Sequence, residues 1–394
     1  MIEGLSEITR RRIIVAALGM MQILAWGSSF FLMAVLGKPI AADTGWSLTW
    51  TVGALSIALL TSGLASPYVG RLIDRRGGRP VLLASTIFFA AGLVLIAMSP
   101  HLIVFFAGWI LVGLGMSAGL YDASFSTLGR LYGEAARQPI TAVTLFGGLA
   151  SSICWPLTAY LNEALGWRET CLTYAAVHLF VGLPLYFITM PREAERPPHA
   201  PTEASTATGN RATFLFLGLA ASFSLMTLVA STNAVHMLTF LQSHGLPLAT
   251  AVTLAAMVGI AQVAARGIEM AIGRFHHPIW TLVASTVLVG AGVALLWWGA
   301  EPFLLALVIY GAGAGVNSIA RGTVPLALFG PDGYAARMGR LAQPTFIASA
   351  VAPTLGAFAI ESWGTDATLA GLSILSLVNI AIVASLVVSI RRQA

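Results

Sequence analysis

Four ionisable side chains other than histidine lie inside apolar runs long enough to cross a bilayer: Asp122, Arg266, Glu269 and Arg321. An isolated charge at such depth costs at least about 2.5–3.5 kcal/mol on insertion scales, so groups of this kind face protein or a water-filled cavity. Arg266 precedes Arg274, and Asp122 precedes Arg130, by eight residues. At 1.5 Å per residue both sit about 12 Å above the charges at the ends of their runs. Arg321, eleven residues before Asp332, has a comparable depth. Glu269 follows Arg266 by three residues and shares its helix face. Two chemistries stay open. The two acids and two arginines sum to zero and would serve as structural ion pairs. Alternatively, the Arg266 guanidinium is a fork that takes a carboxylate bidentately. On this second view Arg266 and Arg321 contact substrate, while Asp122 and Glu269 serve proton coupling or ion pairing.

A second constellation, GRLIDRRGGRP (70–80), lies at the end of one such run. Gly70 allows close helix approach, and Asp74 stands where the run meets water. Arg75, Arg76 and Arg79 follow in a turn broken by Gly77 and Gly78. The chemistry is that of a charge latch: a carboxylate at a helix end pairs with arginines and lets go when the structure moves. An ordinary basic loop explains the arginines but not the Gly-x-x-x-Asp-Arg-x-Gly-x-Arg order. Weaker candidates are Asn233 and His236 in the seventh run and Trp26, Phe30 and Phe31 in the first. His236 changes charge near physiological pH and is suited to proton transfer, or else is a hydrogen-bonded structural histidine. The aromatics line a cavity or simply pack. His178 in the sixth run is discounted, His276 and His277 read as interface residues, and Lys38, the only lysine, either attracts anions or snorkels to the interface.

The elements that position these groups are membrane helices. Of 394 residues, 57% are hydrophobic and only 9% are Asp, Glu, Lys or Arg, against about 25% charged in soluble domains. Mean hydropathy is +0.84. A soluble enzyme, a disordered chain and a nucleic-acid module are excluded together. Cys154 and Cys171 lie in apolar runs and imply neither a disulfide framework nor a metal site. Arg10–Arg12 followed by an apolar run looks like a leader, but the run continues to about Gly37, long enough to span.

Twelve segments of spanning length can be marked, near 12–37, 47–70, 80–98, 102–129, 139–161, 171–190, 213–241, 248–273, 279–299, 303–329, 341–360 and 367–390. Lipid offers no partner for open backbone groups, which makes them helices. Of the 21 basic residues, 17 fall in loops on the side of the N-terminus, and only Lys38 and Arg168 on the other. That asymmetry puts both termini in the cytoplasm and assigns the net charge of +5 to topology and anionic headgroups. The polar stretch 191–212 reads as a flexible cytoplasmic linker between a bundle at 1–190 and a bundle at 213–394.

The halves repeat. At a shift of 200, Gly113 and Gly115 match Gly313 and Gly315, and GEAAR (133–137) matches GYAAR (333–337). At a shift of 195, Arg71, Asp74, Gly78 and Arg79 fall on Arg266, Glu269, Gly273 and Arg274. Two similar sets of six spans with both termini on one side describe a parallel repeat about the membrane normal.

The loop pattern at 70–80 in a twelve-span chain resembles the major facilitator superfamily along the whole sequence. The resemblance implies an all-α fold of two six-helix pseudo-symmetric bundles, alternating access around a central cavity, and a gating role for Gly70, Asp74, Arg75, Gly77 and Arg79. The second-half copy, ARGIEMAIGRF (265–275), is degenerate. Trp109 stands where drug antiporters carry a fourth-span arginine, and their Gly-Pro motif in the fifth span is replaced by GGLASSICWP (147–156). AQVAARG (261–267) and DTGWSLTW (43–50) are similar to the monocarboxylate and oxalate branch, where the arginine binds carboxylate. Gln262 replaces the acid of the proton-coupled members, and the eleventh-span lysine of oxalate exchangers is absent. By the internal repeat, however, Arg266 matches the gate residue Arg71 and pairs with Glu269.

The function expected from the resemblance is secondary transport of a small organic solute, an organic anion such as a mono- or dicarboxylate. Efflux of a neutral or cationic drug or metabolite is the alternative. An intramembrane enzyme lacks its clustered His, Asp or Ser groups, a channel its ring of equivalent polar residues, and a pump its Gly-x-x-x-x-Gly-Lys motif. Expected partners are a small solute, the lipid bilayer and protons, with no nucleic acid, no cofactor, no metal and no catalytic residue. The expected form is a monomer in the bacterial inner membrane.

Overall fold

The computed structural model describes residues 6–193, 209–299 and 301–391, and all regular elements among them are helices. The body of the expected linker, 194–208, lies outside the described residues, as do Arg196 and Arg392. Among the described residues, ten helical stretches are long and apolar enough to cross a membrane. Two of them, Leu102–Leu165 and Tyr334–Arg391, are broken and hold two spans each, which gives twelve.

The chain forms two compact units, Met1–His199 with Phe329–Phe346, and Ala200–Leu328 with Ile347–Ala394. The sequence boundaries grouped Phe329–Phe346 with the second bundle; in the structure this segment packs within the first unit. Contacts of Gly339 and Tyr334 described below are the reason.

In the first unit, α1 (Glu7–Gly27) starts at Ser6, whose hydroxyl accepts the Thr9 N–H at 3.4 Å. The chain then turns through Ser28–Phe31 and resumes as α2 (Leu32–Thr44). The break is local chemistry: Ser28 Oγ donates to Leu24 O at 2.8 Å and Ser29 Oγ to Ala25 O at 2.5 Å, pairings that compete with the backbone ladder. Ser47 caps α3 (Leu48–Arg76), which ends at Gly77 with φ +81°, and α4 (Gly78–Ala97) begins at the next residue. The fourth span is α5 (Leu102–Gly119) and α6 (Tyr121–Tyr132), separated by extended Leu120. The fifth is α7 (Arg137–Gly148) and α8 (Ala150–Leu165). The sixth is α9 (Trp167–Val177) and α10 (Leu183–Thr189), joined by a wide π turn at His178–Gly182.

Packing here follows membrane rules, in which small residues bring backbones together. A side chain on Gly92 would meet Gly108 O at 2.7 Å, so α4 and α5 touch backbone to backbone. Trp109 is fully buried among the core aromatics, which accounts for an apolar residue at that place.

The second unit holds α11 (Gly209–Ser243), α12 (Leu248–Ile272), α13 (Pro278–Trp298), α14 (Phe303–Phe329, of which Phe329 belongs to the first unit) and most of α15 (Tyr334–Arg391). Helix α11 begins inside the stretch expected to be linker, where the Arg211 Nε–H donates to Ser389 Oγ at 3.3 Å. Gly364 at φ +84° divides α15 into the eleventh and twelfth spans. Glycines again set the helix spacing, Gly292 against Tyr310 and Gly311 against Val258 O, both below 3 Å for an added carbon.

Candidate functional site

The motif at 70–80 is built around a helix crossing. A Cβ on Gly70 would strike the carbonyl of Ala335, and the Gly339 Cα lies 3.1 Å from the same point. A Cβ on Gly339 would strike Ser66 O in return. Only glycine on each strand of this crossing lets the backbones approach so closely. One turn on, Asp74 Oδ2 accepts the Ala336 N–H at 2.9 Å. Ala336 stands in the first turn of α15, where N–H groups are open and the helix dipole favours an anion. The expected latch acid is therefore engaged with a backbone donor on the GYAAR turn.

The arginines divide the work. Arg130 Nη1 donates to the Asp74 carbonyl, and its Nε pairs with Glu193 Oε2 at 2.6 Å. Glu193 Oε1 also accepts the Gly78 N–H at 3.1 Å, so one carboxylate ties the α3–α4 turn to the end of the fourth span. Arg79 lies away from this clamp: its Nη2 donates to Phe187 O at 2.8 Å and its guanidinium covers the Phe187 ring at 4.7 Å. Arg75 is exposed. Arg337 Nη2 donates to Phe329 O at 3.0 Å, to Gly330 O at 3.4 Å and to Asp332 O, which fixes the turn that presents Ala336. Sequence reasoning missed Glu193, which reads as linker, and Ala336, which contributes no side-chain signal. Arg130 was visible as a charge at a span end, and only the fold shows its reach to Asp74.

Asp122 opens α6 directly after the Leu120 break and is 7% exposed. It lines a small cavity with Ser66, Ser117, Ser126 and both crossing glycines, Gly70 and Gly339. Tyr334, fully buried and packed on Gly129, is its electrostatic neighbour. The aromatic residues of the first span do gather: Trp26 lies 5.5 Å from Phe30, 6.1 Å from Phe31 and 5.4 Å from Tyr121, and Phe31 lies 5.8 Å from Trp155. Gln22, also missed, organises this group. Its Nε2 donates to Gly119 O at 2.8 Å and to Ser124 Oγ at 2.9 Å, and its Oε1 accepts the Trp26 indole N–H at 3.2 Å. Beside Trp155 an open cavity of about 540 Å³ is lined by Ala34, Val35, Ser151 and Ala159.

In the second unit Arg266 is 6% exposed, and its Nε–H donates to Gly315 O at 3.1 Å. Gly315 packs so closely on Gln262 that its carbonyl is presented directly to the next turn of α12. The Nε bond fixes the plane of the fork. Glu269 accepts from Thr281 Oγ1 at 2.7 Å and lies 3.5 Å from His276 Nε2. Arg321 is half-buried in α14. Asn233 is fully buried, with Nδ2 donating to Val229 O at 2.9 Å. His236 Nε2 pairs with Pro353 O at 3.0 Å, and Thr232 Oγ1 donates to Ala352 O at 3.3 Å. These contacts knit the seventh span to the eleventh at Pro353, whose ring cannot continue the helical ladder. His178, discounted from sequence, is fully buried, pairs with Ser28 Oγ at 2.8 Å and stacks on Phe89. Among the described residues no three His, Cys, Asp or Glu side chains converge as a metal site.

This organisation has counterparts. Residues 18–276 match the family profile described as Major Facilitator Superfamily. The chain belongs to the major facilitator superfamily. It is a membrane transporter, and transporters of this superfamily are not enzymes. The multidrug resistance protein MdtL of Salmonella heidelberg (strain SL476) is 25% identical over 271 residues, 67% of this chain and 68% of that protein. Two solved structures share the superfamily fold. The human organic anion transporter MFSD10 (TETRAN) aligns with a TM-score of 0.74 at 19% identity, over 95% of this chain and 99% of that one. The E. coli fucose:proton symporter FucP (N162A) aligns at 0.74 with 11% identity, over 97% and 99%.

Proposed function

We propose that the protein is a secondary transporter for a small organic anion carrying one or two carboxylates, working by alternating access in a bacterial inner membrane with both termini cytoplasmic. The observation that carries this is Arg266: a buried guanidinium in an apolar span whose Nε is held by Gly315 O. A fork fixed in one plane suits the two parallel bonds a carboxylate accepts. Glu269 and Asp122 are the acids for ion coupling, with a proton gradient the first to test. Asp74, Gly70 and Gly77 form the cytoplasmic latch, with Glu193 and Arg130 as its brace.

The test is carboxylate-dependent thermal stabilisation of the purified protein, followed by uptake of the ligands that bind. Arg266→Lys keeps the charge and loses the fork; it is expected to weaken carboxylate binding about tenfold or more, the scale of one lost charged hydrogen bond. Equal binding by Arg266→Lys and wild type overturns the assignment.

A second reading, export of a neutral or cationic drug, is favoured by the aromatic group Trp26, Phe30, Phe31, Tyr121 and Trp155, whose ring faces attract cations, and by the likeness to MdtL. Stabilisation by cations alone, with no response to any carboxylate, selects it.

A further inference from the structure

The corner where α1 begins and α6 ends holds a hydroxyl that the chain itself leaves unused. Tyr132 closes α6, and its Oη is buried without a hydrogen-bond partner among the described residues. A buried polar atom left this way costs stability unless a ligand or a water satisfies it. The surrounding charges point to an anion. Arg10 and Arg11, both half-buried, are the positive neighbours of this hydroxyl, and Glu7 is the negative one. The Arg11 guanidinium lies over the Tyr132 ring at 5.6 Å. Its Nη2 donates to Ala135 O at 3.4 Å and to Gln138 Oε1 at 3.5 Å, both longer than the usual N–H···O bond. The fork therefore holds no strong acceptor.

The backbone adds to the imbalance. Arg10, Arg11 and Arg12 all fall in the first two turns of α1, where Glu7 is the one acid. The positive end of the helix dipole is at the same place and disfavours cations there. On the neighbouring turn, Glu134 and Arg137 offset each other in charge. An anion relieves both defects when it has enough oxygens to take the guanidinium N–H groups and the phenol O–H together. A carboxylate has two oxygens in one plane, whereas the oxygens of a phosphate spread in three dimensions and reach donors on two helices. Ile8, three residues before Arg11 on the same helix face, is 68% exposed, and the apolar run starts at Ile13. Basic and apolar side chains on one short stretch suit the depth of lipid headgroups.

We propose that Arg10, Arg11 and Tyr132 bind the phosphate of an anionic phospholipid. The lipid bridges α1 to the last turn of α6, two residues beyond the Arg130 that donates to the Asp74 carbonyl. This goes beyond the transporter reading and does not rest on Arg266.

The experiment uses full-length protein in detergent micelles that contain phosphatidylglycerol or phosphatidylcholine at equal mole fraction and ionic strength, with thermal unfolding as the readout. Phosphatidylglycerol is expected to raise Tm saturably above phosphatidylcholine. Tyr132→Phe deletes only an oxygen that the chain does not use, so its Tm in phosphatidylcholine should equal or exceed that of wild type. Its apparent affinity for phosphatidylglycerol should fall about tenfold, the scale of one charged hydrogen bond. Arg10→Gln should lower that affinity about tenfold as well. Arg12→Gln removes the same charge from an exposed position and should lower it least.

Equal Tm in the two lipids overturns the site and leaves the hydroxyl to water. A phosphatidylglycerol gain that survives Tyr132→Phe, and that Arg12→Gln reduces as much as Arg10→Gln, reports diffuse attraction to a charged surface and overturns it too. Inorganic phosphate that reproduces the whole gain in phosphatidylcholine micelles overturns the lipid source in favour of a soluble phosphate. No transported solute enters these assays, so the anion reading and this site fail independently.

Discussion

The turn after α3 and the turn after α12 carry one charge pattern and fold differently. In the first, Gly77 takes φ +81°, α3 stops, and α4 starts at once. The matching residue in the second is Ile272, at φ −98°. A β-branched residue strongly disfavours the left-handed region, so the chain runs on through a tight turn at Gly273–Phe275 before α13 begins at Pro278. The acids follow their backbones. Asp74 reaches the open N–H of Ala336 at the start of α15, whereas Glu269 accepts from Thr281 and lies beside His276. Gly70, which permits the crossing, is matched by Ala265, which already carries a Cβ. Matched charges at the two turns meet different partners, because the first turn has the glycines that bring another helix within reach.

The largest expected effect breaks the crossing itself. Gly70→Leu places a side chain against backbone atoms of α15 that cannot rotate away; overpacking of this kind costs about 1–3 kcal/mol. Transport should fall about tenfold or more, with loss of disulfide formation in the double variant Ile73→Cys and Ala335→Cys, two residues of one buried cluster, while Ala265→Leu changes that yield little. Next comes the acid. Asp74→Asn gives up a charge-assisted hydrogen bond worth about 1.5–3 kcal/mol, and the latched fraction should drop accordingly. Glu269→Gln is expected to lower Tm and leave the disulfide yield alone; a matching drop in yield would show that both copies gate.

Smaller still is the turn. Gly77→Ala forces a Cβ into left-handed backbone, about 1–2 kcal/mol, visible as a lower Tm. Ile272→Gly costs about 0.5–1 kcal/mol of helix stability with no effect on the latch. A shift of similar size, about 1 kcal/mol, is expected of Glu193→Gln, read as a partial loss of disulfide yield.

Spans, the repeat and the 70–80 motif were legible because they are written in side chains: apolar runs, arginine placement and charges at fixed spacing. The partner of Asp74 was not, since a backbone N–H has no letter of its own. Arg79 looked like a latch residue by order alone, and its bond to Phe187 O shows that neighbouring arginines in one motif serve different helices. Gln22 and Ser28 are ordinary polar residues in an apolar run, and only the break in the first span and the approach of Gly119 and His178 give them partners. For the embedded charges, their spacing along the helices was readable, but the surroundings were not: Arg266 meets a carbonyl exposed by a glycine contact forty-nine residues away.

Glu193 is two residues past the proline that follows the sixth span, and it holds the α3–α4 turn and Arg130 together. The covalent connection between the halves therefore departs from the brace itself. Tension on that connection, from a fused domain, a shortened tether or a bound antibody, is delivered straight to the turn that aims Asp74.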